Sequence, residues 1–249
     1  MLMRFSSALV DGRLTRRYKR FLADVELSSG ETVTAHCANP GSMLGLAAPG
    51  SRVWLSRSDN PKRKLRFSWE LIQVDLGRGP TLVGINTSSP NAAVARVIEK
   101  DLIPELAGYG PMRREVRYGG NSRIDILLED EARPPCYVEI KNVHLMREAG
   151  LAEFPDSVTA RGAKHLRALS EMAAAGARSV MVYFVQRGDA DAFSLAENID
   201  PAYADAFGDA MAAGVEAIAV CSALTQEGLC LPRSIPLSPP RQLSVTHSI

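Results

Sequence analysis

The sequence predicts an α+β chain in two parts, a small all-β barrel over residues 1–87 and an α/β sandwich over residues 88–232, followed by a tail over 233–249. Three observations carry that division. The first ninety or so residues read as five short strands punctuated by Gly, Pro and Asn, with no long helical pattern. The texture changes at Ser88-Ser89-Pro90-Asn91, where serine caps and a first-turn proline open a helix. Beyond it, residues 179–185 and 215–219 are nearly continuous apolar runs, as expected of strands covered on both faces.

Within the first part, residues 21–27 and 32–36 alternate around the turn Ser28-Ser29-Gly30, and further strands fall at 52–56, 67–74 and 81–85. The alternation of Phe21, Ala23, Val25 and Leu27 places Phe21 on the core face. The turn Asn39-Pro40-Gly41-Ser42-Met43-Leu44-Gly45 is glycine-rich, but no Gly-Lys-Ser/Thr follows it. It is therefore no P-loop, and no nucleotide cofactor is expected. The second part predicts a helix over 92–100, with Val94, Val97 and Ile98 on one side, then strands at 115–118, 123–128 and 137–143. A helix over 157–175 ends at Gly176, and strand 179–185, helix 202–213 and strand 215–219 complete the sandwich. Gln186 and Arg187 fall where such a sheet presents ligands. The Pro- and Ser-rich tail from Pro232 predicts disorder.

With 46% hydrophobic and 23% charged residues among 249, the chain has the make-up of a soluble protein with a real core. No apolar run approaches the roughly 18 residues needed to span a membrane. The start, Met1-Leu2-Met3-Arg4-Phe5-Ser6-Ser7, lacks the apolar stretch of a secretory signal. Cys37, Cys136, Cys221 and Cys230 form no CxxC, which reads as reduced thiols and a cytoplasmic location.

The net charge of +1 conceals an asymmetry. Residues 1–85 hold 13 Lys+Arg against 7 Asp+Glu, leaving 16 of the 29 basic and 21 of the 28 acidic residues for the remainder. A basic first part suggests a polyanionic partner. Its cations cluster as Arg13, Arg16, Arg17, Lys19 and Arg20, and as Lys62, Arg63, Lys64 and Arg66, with Tyr18 and Phe21 in the first cluster and Phe67 and Trp69 beside the second. Phosphate neutralisation beside aromatic platforms is how proteins bind nucleic acid without reading sequence, and it makes an OB-like barrel the natural candidate.

The most informative stretch is a hairpin, Arg123-Ile124-Asp125-Ile126-Leu127-Leu128 and Tyr137-Val138-Glu139-Ile140-Lys141, joined by a polar, proline-rich turn. Strand periodicity puts Glu139 and Lys141 on one face, and a turn centred near Ala132 sets Asp125 opposite Glu139. Such a face can be a solvated charge ladder worth about a few tenths of a kcal/mol. Two carboxylates and an ammonium can also hold a hard divalent cation, Mg²⁺ or Mn²⁺, beside a phosphodiester. The apolar opposite face (Ile124, Ile126 and Leu128 against Val138 and Ile140) specifies the register, and Leu127 and Tyr137 share the charged face, which pure solvation does not require. On the following helix, Arg161, Lys164 and His165 fall within about one turn and can face the same patch as phosphate contacts.

These residues, with Arg17-Tyr18-Lys19-Arg20-Phe21, His36-Cys37-Ala38-Asn39-Pro40-Gly41-Ser42-Met43, Glu139-Ile140-Lys141-Asn142-Val143 and Thr159-Ala160-Arg161-Gly162-Ala163-Lys164-His165-Leu166, resemble the bacterial sugar fermentation stimulation protein A family from Arg4 to about Leu231. The resemblance implies an OB-type domain, a PD-(D/E)XK nuclease-like domain, non-specific DNA binding and a regulatory role in sugar (maltose) utilisation. It also implies that Asp125, Glu139 and Lys141 match the nuclease motif, with Asp125 and Glu139 as metal ligands. Arg16, Arg17, Lys19, Arg20, Lys62, Arg63 and Lys64 are the candidate DNA contacts of the barrel. Ile124 stands where that motif has proline, and the first helix offers Asn91 and Glu99 but no clear third acid. A binding protein with a nuclease-like core and an active Mg²⁺-dependent nuclease both remain open.

Overall fold

The computed structural model describes residues 1–118 and 122–238. After a short β1 (Met3–Arg4) come β2 (Val10–Tyr18), β3 (Leu22–Leu27), β4 (Thr32–His36), β5 (Arg52–Arg57) and β6 (Phe67–Val74). β2 pairs antiparallel with β3 and β5, β3 with β4, and β5 with β6. Parallel pairing of Ala35 with Phe67 and His36 with Ser68 closes the circuit between β4 and β6. This is an OB-type barrel, filled by Leu14, Val25, Ala35, Val53, Leu55, Trp69 and Ile72.

Three readings of the barrel change. Its first stave is β2, hidden in the sequence because only Gly12 and Leu14 of its nine residues are buried and its arginines face outward. The strand expected at 81–85 is not a stave, since β7 (Thr81–Gly84) extends the far half of β6. Phe21 leaves the core alternation at the β2–β3 turn and is 47% exposed, whereas Trp69, a candidate platform, is fully buried.

The second part begins with α1 (Ser89–Glu99), then β8 (Met112–Tyr118), β9 (Ser122–Leu128), β10 (Cys136–Val143), β11 (Leu145–Glu148) and β12 (Leu151–Phe154). There follow α2 (Ala160–Ala174), β13 (Arg178–Val185), β14 (Ala192–Leu195), α3 (Pro201–Ala212), β15 (Glu216–Cys221), β16 (Leu224–Thr225), β17 (Gly228–Leu229) and β18 (Arg233–Ile235). The main sheet runs β18-β15-β13-β10-β9-β8, with β10, β13 and β15 parallel and the other pairs antiparallel. Smaller sheets, β11-β12-β14 and β1-β17-β16, flank it. α2 starts where the Thr159 hydroxyl accepts the Gly162 N–H at 3.1 Å and stops before Gly176, whose φ of 88° suits only glycine. The predicted disordered tail is in part an edge strand: Ile235 is buried and pairs with Ala219. Residues 239–249 of that expectation lie outside the described residues.

Two apolar layers hold the sheet. On one side Val94, Val97 and Ile98 of α1 meet Ile126, Val138, Ile140, Val182 and Phe184, and the layer continues into the barrel through Trp54 and Leu71. On the other, Leu166, Leu169 and Tyr203 meet Leu127, Met181, Tyr183 and Phe193. Ile124 joins this second layer, not the first as strict alternation predicts.

A polar joint locks barrel to sandwich beside the shared apolar layer. Asp156 Oδ2 accepts the Met43 N–H at 2.9 Å and contacts His144 Nε2 at 3.2 Å, while the Ser42 hydroxyl donates to the Asp156 carbonyl at 2.5 Å. A Cβ on Gly41 would stand 2.5 Å from Asp156 Oδ2, so the glycine-rich turn is built for this close approach. Gln186 and Arg187 also serve the interior and not a ligand. Gln186 donates to Asn142 Oδ1 at 2.8 Å and its carbonyl accepts the Gly84 N–H at 2.9 Å. Arg187 grips Asp189 at 2.7 and 2.8 Å.

Burial alone would raise the Asp156 carboxyl, but His144, the Met43 N–H and the Ser157 hydroxyl outweigh it and hold it at about 2, below its ordinary 3.8. A depressed carboxyl stabilises the fold fully above its unfolded pKa and loses that contribution as pH falls through the folded one. Here the window is about pH 4 to 2 and the contribution about 2 kcal/mol. Urea unfolding should therefore show wild type losing about this much across that window. Asp156→Asn should start about 2 kcal/mol less stable at pH 7 and have a flatter acid limb. Parallel acid limbs for the two proteins would rule out the joint as the source.

Candidate functional site

The β9–β10 ladder pairs Leu128 with Cys136, Leu127 with Tyr137 and Ile126 with Val138, the register a turn centred on Ala132 requires. It then stops. At the next step Asp125 Oδ2 accepts the Ile140 N–H at 2.7 Å, so a side chain replaces a rung of the ladder and the strands part. Asp125 Oδ1 accepts from Asn91 Nδ2 of α1 at 2.8 Å. Asp125 thus reaches toward α1, while Glu139 reaches toward α2. Both border one cavity of about 620 Å³, together with Lys141, Arg161, Lys164 and His165.

Glu139 is 2% exposed, and a carboxylate so buried must be paired. Lys141 Nζ donates to Glu139 Oε1 at 2.8 Å, and His165 Nδ1 donates to the same oxygen. Arg161 Nε donates to His165 Nε2 at 3.3 Å, which places the imidazole proton on Nδ1. All of these bonds fall on Oε1. Glu139 Oε2 is buried with no hydrogen-bond partner, an unsatisfied lone-pair oxygen aimed at nothing in the protein. Burial would raise the Glu139 carboxyl, but Lys141 and His165 hold it below its ordinary value. Among the described residues no cation forms an ion pair with Asp125, and the charge of Lys141 acts on it more weakly than burial and Glu139 do. Burial first, then the Glu139 charge, push its carboxyl up to about 6.

Two carboxylates, one with an orphaned oxygen, suit a hard cation that keeps several of its waters, as Mg²⁺ does. Among the described residues no group of three or more His, Cys, Asp or Glu side chains forms a complete cage. Of Asn91 and Glu99 on the first helix, Asn91 lines the cavity and serves Asp125 as a donor.

Sequence reasoning missed two bordering residues. Glu115 falls between the Arg114–Ile126 and Val116–Ile124 pairs of an unbroken β8–β9 register, at a φ of 54°, and lines the cavity. Arg123 lines the cavity too, and it stands directly opposite Arg117 in the ladder. Like charges placed so are destabilising unless an anion lies between them. The only sequence signal was the run Arg113-Arg114-Glu115-Val116-Arg117, uninformative without the register.

The barrel cations divide by position. Arg17 donates to the carbonyls of Arg20, Asn39 and Gly41 at 3.0, 2.9 and 2.9 Å, and Arg20 donates to the Pro40 carbonyl at 2.7 Å, so both are spent on backbone. Arg16 pairs with Asp24 at 2.8 Å and Arg63 donates to Ser68 at 3.0 Å. Lys19, Lys62 and Lys64 are exposed and form no ion pair among the described residues. They sit on the β2–β3 and β5–β6 loops, the two that flank the oligonucleotide face of an OB barrel.

With this geometry in hand, comparison with known proteins is informative. Residues 15–85 match the family described as SfsA N-terminal OB domain, and residues 88–228 that described as sugar fermentation stimulation protein RE domain. The chain is similar to the sugar fermentation stimulation protein homolog of Azorhizobium caulinodans, at 57% identity over 235 residues covering 94% of this chain and 99% of that protein. It is equally similar to the homolog of Rhodospirillum centenum, at 57% over 236 residues covering 95% and 100%. Among solved structures it is similar to Pyrococcus furiosus SfsA in complex with Ca²⁺, with a TM-score of 0.84, 28% identity, and 95% and 98% of the two chains covered.

The Asp125–Glu139 pair sets a stability test. A carboxyl raised above its unfolded value costs the fold free energy once pH exceeds the unfolded pKa, and the cost is complete above about pH 6. Asp125→Asn removes that charge but loses one accepted hydrogen bond, for a net gain on the order of 1 kcal/mol. In chelator at pH 7.5 the variant should melt above wild type, and the gap should close near pH 4. A variant that melts lower at pH 7.5 would exclude charge repulsion at this pair.

Proposed function

This chain belongs to the sugar fermentation stimulation protein family, and on that premise we propose that it binds DNA without sequence preference and carries a PD-(D/E)XK nuclease-like site for phosphodiester hydrolysis in its second domain. The single observation that carries the reading is the orphaned, buried Oε2 of Glu139, a residue that lines one cavity with Asp125 and Lys141. A surface meant only to bind a polyanion gains nothing from two carboxylates facing it. The Ca²⁺ described for the Pyrococcus furiosus protein supports a divalent cation here.

Asp125 and Glu139, with the Ile140 carbonyl, would hold Mg²⁺ or Mn²⁺. That cation supplies an activated water and Lewis-acid stabilisation of the phosphate. The protein's own groups do the rest. His165 and Lys141 hold Glu139 by Oε1, which leaves the buried Oε2 free of them. Lys141, only 12% exposed at its side chain, keeps a positive charge on the cavity wall where charge develops on the phosphoryl oxygens. Arg123, Arg161 and Lys164 line the same wall and position the phosphate backbone. Regulation of sugar utilisation, including maltose use, would act through this DNA binding. A second reading, cation-assisted binding without cleavage, is favoured by one observation, Asn91 in place of a third acid.

The two separate in one set of measurements. Calorimetric titration with Mg²⁺ and Mn²⁺ should show uptake in wild type and its loss in Asp125→Asn and Glu139→Gln. Lys141→Ala should keep cation affinity and lose turnover on DNA by about a hundredfold. DNA affinity should fall steeply with salt in all of them, by counterion release. Cleavage that survives chelator, or that survives Asp125→Asn, would place the chemistry elsewhere. Wild type that takes up cation and DNA yet cuts no nucleic acid would establish the binding-only reading.

A further inference from the structure

The apex of the barrel holds an arrangement that neither the core nor the cavity explains. Tyr18 pairs with Leu22, so Lys19, Arg20 and Phe21 alone turn β2 into β3. Lys19 and Arg20 both occupy the left-handed region, at φ of 49° and 62°, where side chains other than glycine are strained. The turn is held in that state. Arg20 grips the Pro40 carbonyl and Arg17 the carbonyls of Arg20, Asn39 and Gly41, while the Phe21 carbonyl accepts the Cys37 N–H at 2.8 Å. The backbone of Phe21 is therefore fixed, yet its ring stands 47% exposed beside Ala23 and Val25, which are fully buried.

Strain and an exposed aromatic ring both cost folding free energy, and the core receives nothing in return. The surroundings indicate what does. Lys19 is exposed and unpaired on the same turn, and Lys62 and Lys64 are exposed on the β5–β6 loop. The pairing of Leu22 with His36 and of His36 with Ser68 sets the two loops at one end of the barrel, and an exposed ring and cations there suit a nucleobase and its phosphates. A base inside a duplex is already stacked on both faces, so only an unpaired base can occupy the ring.

We propose that Phe21 is a stacking platform for an unpaired nucleobase, and that the preferred ligand of the barrel is a single-stranded segment of nucleic acid. The proposal rests on the DNA-binding reading above and extends it from a polyanion to a strand class. The platform is also tied to the cavity. Arg17 and Arg20 hold the Asn39–Gly41 backbone, the following Ser42 and Met43 bond to Asp156, and α2 with Arg161 and Lys164 begins four residues later. A strand seated on Phe21 is thus held on the same rigid body as the cavity.

The test uses the full chain and two labelled probes followed by fluorescence anisotropy, an oligo-dT of about 16 nucleotides, near the upper site size of one OB barrel, and a mixed-sequence duplex of the same length. Phe21→Ala should weaken oligo-dT binding about tenfold or more, by the usual worth of one stacked base, and change duplex binding less than about twofold. Phe21→Trp should keep the affinity, and its emission should be quenched by oligo-dT, since Trp54 and Trp69 are buried and report little. Unchanged oligo-dT affinity in Phe21→Ala, or unquenched Phe21→Trp with the probe bound, overturns the platform and leaves DNA binding standing. Wild type that binds neither probe at low salt overturns both readings.

Discussion

A carboxylate that is 2% exposed is the constraint on which the second domain is organised. Glu139 lies on β10, which is paired on both sides, by β9 and by β13. An ionised group there survives only with cationic or hydrogen-bonding partners at short range. Strand periodicity supplies the first, Lys141, two residues on along the same face. The second, His165, comes from α2 and must be brought in by packing, through Leu166 and Leu169 against the sheet. That packing also turns Arg161 and Lys164 toward the cavity. The electrostatic requirement of one buried group therefore coincides with the arrangement that walls a phosphate site.

The opposite treatment of Asp125 is as telling. Glu139 is stabilised as an anion and Asp125 is not, although the two line one cavity. Asp125 receives two hydrogen bonds, from Ile140 and Asn91, which do not offset its burial and the neighbouring charge. A site that leaves one carboxylate uneasy and another with an orphaned oxygen is suited to accept positive charge. Stability is given up locally, as at many functional sites.

Barrel and sandwich are not beads on a string. One apolar layer runs from α1 and the sheet into Trp54 and Leu71 of the barrel, and the Asp156 joint lies beside it. The glycine-rich turn, with the look of a ligand loop, is part of that joint, because only a residue without Cβ lets its backbone meet the Asp156 carboxylate. Much of the barrel's basic character is likewise structural. Arg17 and Arg20 serve carbonyls, and the cations left for a partner include the lysines at the loop tips.

The sequence by itself determined the two-part organisation, most strand positions, the hairpin register and the convergence of Asp125, Glu139 and Lys141 on one cavity. Each of these follows from short-range rules: side-chain alternation, turn chemistry and the apolar face that penalises a one-residue slip. It could not show that β2 is a stave, because a strand that buries only Gly12 and Leu14 and exposes Arg13, Thr15 and Arg16 carries too little apolar alternation to be seen. Nor could it place the aromatics, since Phe21 and Trp69 fit the same local pattern and only barrel closure and the strained turn put one outside and the other within. The tail at Arg233–Ile235 became a strand for the same kind of reason, an open edge of β15 available to pair. Glu115 and Arg123 line the cavity, and Arg117 faces Arg123, through the pairing of β8 with β9, which no local pattern encodes. What alternates along one chain segment is legible from composition and spacing. What depends on which distant segment lies opposite is decided only when the sheet closes.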